Sequence, residues 1–295
     1  MASSVPMTAN EFIEQQLNER IAALEKCFDA DALCIVSPIV DPVANLIRAM
    51  VEDLRQGNRH PSRLAVMLTT NGGYIETAER IATTLRHHYN HIVFIVPDYA
   101  FSAGTVLVMA GDEIYMDYYS RLGPIDPQVR NAKGQFVPAL GYLVQWERLI
   151  KKATKGKLTT EEAALMAEFD LAELYQYEQA RELSIALLEQ WLAEYKFKNW
   201  IKTETRRVTV TSAMRKRRAR AIAQELNNTN RWHSHGYGIS MEVLQKDLDL
   251  KIDALDTDPN MCMCVKQYDG LLMDYMHKRG DIGTLHSVHK YLPIT

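Results

Sequence analysis

Four cysteines in 295 residues, no apolar run of membrane length and little charge imbalance set the first limits on this chain. Cys27 and Cys34 are not grouped with partners, and Cys262-Met263-Cys264 lacks a second cysteine or histidine pair at metal-site spacing. The four therefore read as structural thiols, and no metal site is expected. No stretch approaches the ~20 apolar residues of a membrane helix. The start, Thr8-Ala9-Asn10-Glu11, opens an amphipathic helix and has no apolar leader core, so no membrane span and a cytoplasmic location are expected. Lys and Arg number 34 against 37 Asp and Glu, a net charge of −3 that offers no field for nucleic acid. The basic cluster Arg215, Lys216, Arg217, Arg218 and Arg220 has no interleaved aromatics and reads as a solvated helix face. Internal repeats and low-complexity tracts are absent, and no histidine lies between His91 and His233.

What is present is alternation. Residues 8–28 read as a helix and Ala32-Leu33-Cys34-Ile35-Val36 as a short strand. Pro42 opens a helical pattern through Leu54, with Ala44, Ile47, Met50, Val51 and Leu54 apolar, and Leu64-Ala65-Val66-Met67-Leu68 is the next strand. After Asn71-Gly72-Gly73, the residues Ile75, Ala78, Ile81, Ala82 and Leu85 recur at helical spacing. His91-Ile92-Val93-Phe94-Ile95-Val96 is an apolar run ended by Pro97, and Glu113-Ile114-Tyr115-Met116 follows as a strand. Three successive β-turn-α units predict an α/β domain with a mostly parallel sheet. Beyond Pro138 the chain turns helical to about Trp200, with Thr159-Thr160-Glu161-Glu162 as a helix start and apolar positions such as Leu174, Leu187, Leu188 and Trp191 suited to a core or subunit interface. The predicted organisation is an N-terminal helix over 1–30, an α/β catalytic core over 31–137, a helical arm over 138–200 and a C-terminal segment over 201–295 packing on the core.

One segment stands out chemically. Tyr99-Ala100-Phe101-Ser102-Ala103-Gly104-Thr105 sets a small hydroxyl side chain at an abrupt strand-to-helix junction, where a nucleophilic serine would sit. Ser102 is expected to cap the following helix, with unbonded N–H groups behind it. Gly72 and Gly73 permit positive φ and close backbone approach, although Asn-Gly alone is also a plain turn. Both segments fall at carboxyl ends of strands, where ligands bind in such sheets. Together they form one constellation in which Gly73 N–H and Ala103 N–H make an oxyanion hole around a carbonyl presented to Ser102, with Gly72 and Gly104 in support.

These two segments, together with Leu122-Gly123-Pro124-Ile125-Asp126-Pro127-Gln128 and Arg231-Trp232-His233-Ser234-His235-Gly236-Tyr237-Gly238-Ile239-Ser240, resemble the serine dehydrogenase proteinase family. That family is a branch of the Clp protease and signal peptide peptidase A group of serine peptidases, within the Clp/crotonase fold. The resemblance runs from about residue 30 to 250. It implies a repeated β-β-α core with a helical arm, Ser102 as nucleophile, Gly73 and Ala103 as the oxyanion hole, and no cofactor. It also implies a peptide or protein substrate and a homo-oligomer, a trimer or a multiple, open to a regulatory partner.

The base is where this chain departs from its relatives. Clp proteases carry a histidine about where Leu122 to Gln128 lies, and signal peptide peptidase A relatives carry a lysine about where Phe136 to Tyr142 lies; neither stretch holds one here. His235 is the candidate base, with Lys152 and Lys151 as alternatives and Lys133 nearby. Gly236 stands where the family has aspartate, which removes the usual neighbouring carboxylate. Asp126 either orients a base or belongs to a rigid turn. Three functions follow: a serine peptidase working through a Ser102 acyl-enzyme, a catalytically weak or inactive scaffold of the same fold that binds a peptide or protein, and a crotonase-like acyl-CoA enzyme using the same N–H pair on a thioester oxygen. For the last, no adenine or phosphate pocket is readable.

Overall fold

The first helix is set by local chemistry. Thr8 Oγ1 accepts from the Glu11 N–H at 3.3 Å and the Glu11 carboxylate accepts from the Thr8 N–H at 2.7 Å, a reciprocal cap that starts α1 (Ala9–Phe28). The structure, a computed structural model, describes residues 8–56, 61–125, 128–130 and 136–295. After α1, strand and helix alternate much as the periodicity predicts: β1 (Asp31–Val36), α2 (Asp41–Leu54, with Pro42 in its first turn), β2 (Arg63–Thr69), α3 (Ile75–His88) and β3 (His91–Val96). The short strand β4 (Tyr99–Ala100), the six-residue helix α4 (Ala103–Val108), β5 (Glu113–Met116) and β6 (Arg121–Leu122) follow.

The chain divides into two units. One runs to Leu122 and resumes over Gly238–Thr295; the other is Gly123–Tyr237. The second unit holds the hairpin β7 (Gln128–Arg130) and β8 (Phe136–Pro138), then α5 (Ala139–Ala153), α6 (Thr160–Ala167), α7 (Leu171–Trp191) running into a π turn at Leu192–Lys196, α8 (Ser212–Leu226) and α9 (Thr229–Trp232). Most of residues 139–196 are thus in helix. The segment 201–295 is not one piece, however: α8 packs its buried Ala219, Ile222, Ala223 and Leu226 with α7, so residues to Tyr237 stay in the second unit. Lys216, Arg217 and Arg220 on α8 are exposed.

The chain re-enters the first unit with β9 (Ile239–Ser240), α10 (Met241–Lys246), β10 (Asp253–Ala254), α11 (Pro259–Arg279), β11 (Gly283–Ser287) and β12 (Lys290–Ile294). The main sheet has seven strands in the order β10-β5-β3-β2-β1-β11-β12. The five from β10 to β1 run parallel; at the far edge β11 pairs antiparallel with β1, and β12 antiparallel with β11. Alternate residues of β1 to β3, including Ala32, Cys34, Ala65, Met67, Val93 and Ile95, pack under α1 and α11. Their neighbours, Leu33, Ile35, Val66, Leu68, Phe94 and Val96, are equally buried and serve the opposite face. Such double burial is what a parallel sheet requires and explains the continuous apolar runs in the sequence.

A polar knot ties the ends of α3, α4, β3 and β5 together. Arg86 Nη1 donates to Asp112 Oδ2 at 2.7 Å and Arg86 Nε to the Ala110 carbonyl at 3.1 Å, and the same carboxylate oxygen accepts the Ile92 N–H at 2.7 Å. The Asp112 side chain is 2% exposed, so its charge depends on Arg86 for compensation. Arg86→Met should therefore lower stability by about 3–5 kcal/mol in urea unfolding. Arg48→Met, at an exposed ion pair whose side chains are 65% and 45% accessible, should stay within about 0.5 kcal/mol.

A second buried chain runs from Tyr268 OH, which donates to His286 Nδ1 at 2.7 Å, through His286 Nε2–H to Asn18 Oδ1 at 3.0 Å. This arrangement suits neutral imidazole, and burial holds the His286 pKa down at about 4 against an ordinary 6.5. Between those values the unfolded chain takes up a proton that the folded chain excludes, so this group costs stability as pH falls from 6.5 to 4. Asp269 acts with the opposite sign. Burial, and then Asp98, raise its carboxyl to about 6, so its cost grows as pH rises from 3.8 towards 6. The difference in unfolding free energy between wild type and His286→Gln should consequently rise by roughly 3 kcal/mol between pH 4 and 6.5, read by denaturant titration at fixed ionic strength.

Candidate active site

At the carboxyl edge of the first unit's sheet lies the one serine that has a positive φ among the described residues. Phe101-Ser102-Ala103-Gly104 is a β-turn closed by the Gly104 N–H donating to the Phe101 carbonyl at 2.8 Å. Ser102 sits at φ 53°, ψ −120°, the first central position of a type II′ turn, where glycine is the usual occupant. A non-glycine residue there costs about 1–3 kcal/mol and persists only when its surroundings over-determine it. Ser102 stands at the N-cap of α4 as expected, and its carbonyl accepts the Val106 N–H at 3.2 Å. The expected side-chain cap is missing, because the positive φ turns the hydroxyl away from the helix amides. Among the described residues Ser102 Oγ has no hydrogen-bond partner, and the residue is partly exposed. Tyr99 and Phe101 stack at 5.0 Å beside the turn.

The glycine turn after β2 lies directly against this junction. A Cβ on Gly72, at φ 97°, would stand 2.7 Å from the Phe101 carbonyl, 2.8 Å from Ser102 Cβ and 3.3 Å from Ala103 N. A Cβ on Gly73 would stand 2.1 Å from the Ile39 carbonyl. Ile39 grips the turn from the β1 side, donating its N–H to the Gly72 carbonyl at 2.9 Å and accepting the Tyr74 N–H at 2.9 Å. Those two bonds leave Gly73 N–H out of the ladder. Among the described residues neither Gly73 N–H nor Ala103 N–H donates a hydrogen bond, and Gly73 is solvent-exposed. Two unspent donors at the end of a parallel sheet and a partnerless hydroxyl in adjoining turns are the groups that holding and attacking a polarised carbonyl requires.

The structure thus brings Gly72, Gly73, Ser102, Ala103 and Gly104 into one cluster. His235, Lys151 and Lys152 belong to the second unit. His235 is half-buried in the turn after α9, where the Tyr237 N–H donates to the Ser234 carbonyl at 3.1 Å and the Trp232 ring stacks on Tyr237 at 5.5 Å. Lys151 is exposed near the end of α5, and the Lys152 ammonium is bound to the Glu162 carboxylate. That contact with Lys152, followed by the Thr159 N–H, pulls the Glu162 carboxyl below its ordinary range. Asp126 and Lys133 lie outside the described residues.

Two supporting residues escape a reading of the sequence. Thr70 directly follows β2 on the way to the glycines; its Oγ1 accepts the Gly72 N–H at 3.0 Å and its backbone brackets β4, with Thr70 N–H to the Tyr99 carbonyl at 3.1 Å and Phe101 N–H to the Thr70 carbonyl at 2.9 Å. Its methyl occupies the space a Cβ on Gly104 would need, 2.3 Å away. Ile39 acts through its backbone alone, so only the burial of its side chain could have drawn notice. Gly104 lies in the first turn of α4, where alanine would otherwise be the better helix former. Gly104→Ala should therefore cost about 1–3 kcal/mol by forcing Thr70 aside. Thr70→Ser, which removes the methyl and keeps the Oγ acceptor, should recover most of that loss in the double variant, as a double-mutant cycle in thermal or urea unfolding will read.

The 1510-N membrane-bound stomatin-specific protease, as a lysine-to-alanine mutant with a substrate peptide, superposes at a TM-score of 0.46 and 14% identity, over 78% of this chain and 76% of that one. Its serine-to-alanine mutant gives a TM-score of 0.45 and 13% identity, over 78% and 79%. In sequence, Uncharacterized protein MJ0137 of Methanocaldococcus jannaschii is 34% identical over 140 residues, 44% of this chain and 47% of that protein. Uncharacterized protein MJ1495 of the same organism is 32% identical over 114 residues, 39% and 35%. The match therefore spans less than half the length of these curated relatives. A family profile described as ClpP-like SDH-type serine proteinase matches residues 45–269, from α2 to α11 and across the whole glycine and serine cluster. On that match, the chain belongs to the ClpP-like SDH-type serine proteinase family.

Proposed function

We propose that this chain is a serine peptidase in which Ser102 attacks the carbonyl of a peptide or protein substrate and Gly73 N–H and Ala103 N–H hold the resulting oxyanion. The observation that carries the proposal is Ser102 itself, a serine in a glycine-type turn conformation, with its hydroxyl unbonded among the described residues and two unspent backbone donors alongside. Family membership supplies the reaction class. As Ser102 Oγ bonds to the carbonyl carbon, its proton passes to the base and charge collects on the carbonyl oxygen, where two preorganised donors gain most. The base then gives the proton to the departing amine, leaving an acyl-enzyme. Water repeats the sequence through a second tetrahedral intermediate and frees Ser102. In keeping with the resemblance, the working form is taken to be a homo-oligomer.

For the base we favour His235 over the lysines. A lysine must lose its proton to act, which requires burial away from carboxylates. Lys152 instead pairs with the Glu162 carboxylate, and Lys151 is in solvent. A half-buried histidine has no such handicap.

Ser102→Ala should abolish labelling by a fluorophosphonate probe and lower turnover of an unstructured peptide substrate by at least about 10³-fold. His235→Gln should lower turnover by about 10²-fold or more, while Lys152→Met should change it less than threefold or so. Equal labelling of wild type and Ser102→Ala would discard the nucleophile, and a Ser102→Ala variant with full biological activity would favour the binding scaffold. Loss of turnover in Lys152→Met with His235→Gln unaffected would move the base to the lysine.

A further inference from the structure

Cys27 and Cys264 are 237 positions apart in sequence, yet their sulfurs lie 3.0 Å from one another where α1 packs on α11. Neither sulfur sets this distance. The two helices run antiparallel and share a core containing Leu17, Ile21, Leu24, Val265, Tyr268 and Leu272, and farther along Tyr275 OH donates to the Glu14 carboxylate at 2.9 Å. Packing along the shared face of the two helices therefore holds the pair in register. The separation exceeds a disulfide bond by about 1 Å, a gap that small side-chain rotations close. Both residues are free thiols and both are partly exposed.

The other two cysteines are placed differently. Cys34 is fully buried in β1, against Tyr268. Cys262 engages Lys266, one turn along the same face of α11, whereas Cys264 is two positions on and so points elsewhere around the helix. The Cys27–Cys264 pair has no part in the serine and glycine cluster, and nothing in the proposed peptidase chemistry uses it.

We propose that Cys27 and Cys264 are a redox-active dithiol, a modification site at which a small-molecule disulfide such as oxidised glutathione closes a reversible bond between α1 and α11. The Cys264 thiolate attacks one glutathione sulfur, the glutathione S–S bond breaks, and the first glutathione leaves as a thiolate that takes a proton. Cys27 sulfur then attacks the Cys264 sulfur of the mixed disulfide, releasing the second glutathione and its own proton. Two protein thiols are oxidised to one disulfide and one glutathione disulfide is reduced to two thiols. Burial, then contact with Cys264 and the Asp258 carboxylate, push the free Cys27 thiol up to about 11, which suits Cys27 to the second, resolving step. Capping Cys264 with glutathione removes part of that cause.

The test uses the whole chain incubated with oxidised glutathione, alkylated without reductant, digested and mapped by mass spectrometry. The expected product is a Cys27–Cys264 linked peptide lighter by two hydrogens than its reduced parts, with two fewer thiols titrating under denaturing conditions and full reversal by dithiothreitol. Cys262→Ala should give the same link. Cys27→Ser and Cys264→Ser should each lose it and leave a glutathione adduct on the surviving partner. A chain that keeps all four thiols, carries only glutathione adducts, or joins any other pair of cysteines overturns the proposal.

Discussion

Backbone meets backbone at the end of the sheet, with no space for a side chain between, and this contact governs the candidate site. Three consecutive parallel strands, β1, β2 and β3, bring their carboxyl ends to one edge, so the segments after them converge there. Ile39, after β1, clasps the Gly72-Gly73 turn, after β2, and that turn is pressed onto Phe101 and Ser102, after β3. Each of the three glycines involved is required by a different neighbour: Gly72 by Phe101 and Ser102, Gly73 by the Ile39 carbonyl, Gly104 by the Thr70 methyl. A Cβ on Gly72 or Gly73 would push one strand-end segment from the next, and one on Gly104 would displace the Thr70 methyl.

Strain at Ser102 is tolerable because the residues around it have nowhere else to go. The helix that follows is buried along its length, with Val106, Leu107, Val108 and Met109 at 1% exposure or less. Its far end is held by the Arg86 bonds to the Ala110 carbonyl and to Asp112. The turn before it is fixed by Thr70 on both sides of β4. A conformational cost of about 1–3 kcal/mol at one serine is small against the burial of such a helix, where each large apolar side chain contributes roughly 1.5–3 kcal/mol. The rigid hydrophobic frame and the polar knot thus stand behind a site that carries few bonds of its own.

Much of this could be read in the chain beforehand, and the exceptions have physical causes. The elements from α1 to β3, and β5, announce themselves because each signal is local: a Thr-x-x-Glu cap, proline in the first turn of α2, apolar spacing of three and four in α2 and α3, and unbroken apolar strands. Ser102 and the two glycines are also visible, as punctuation at strand ends. β11 is not. Gly283-Thr284-Leu285-His286-Ser287 has one large apolar residue, and its burial comes from pairing with β1 and from the Tyr268 bond to His286. Thr70 and Ile39 were missed for a similar reason, since they act through a methyl group and through backbone atoms whose partners lie in other strands. The division of residues 201–237 from the C-terminal part depends on α8 finding its apolar partner in α7, and the apolar content of α8 alone does not name that partner.

By itself, then, the sequence determined the alternation of strands and helices, the parallel character of the sheet, and the three places where the backbone is free or forced to turn sharply. Those properties arise within a few residues, from side-chain shape, periodicity and the missing Cβ of glycine. Only the tertiary structure decided that the turns touch, that Ser102 takes a glycine conformation with its hydroxyl unspent, and that Cys27 meets Cys264 across 237 positions. These are contacts between distant segments, and their geometry follows from which buried faces pack together, a choice made by the whole core at once.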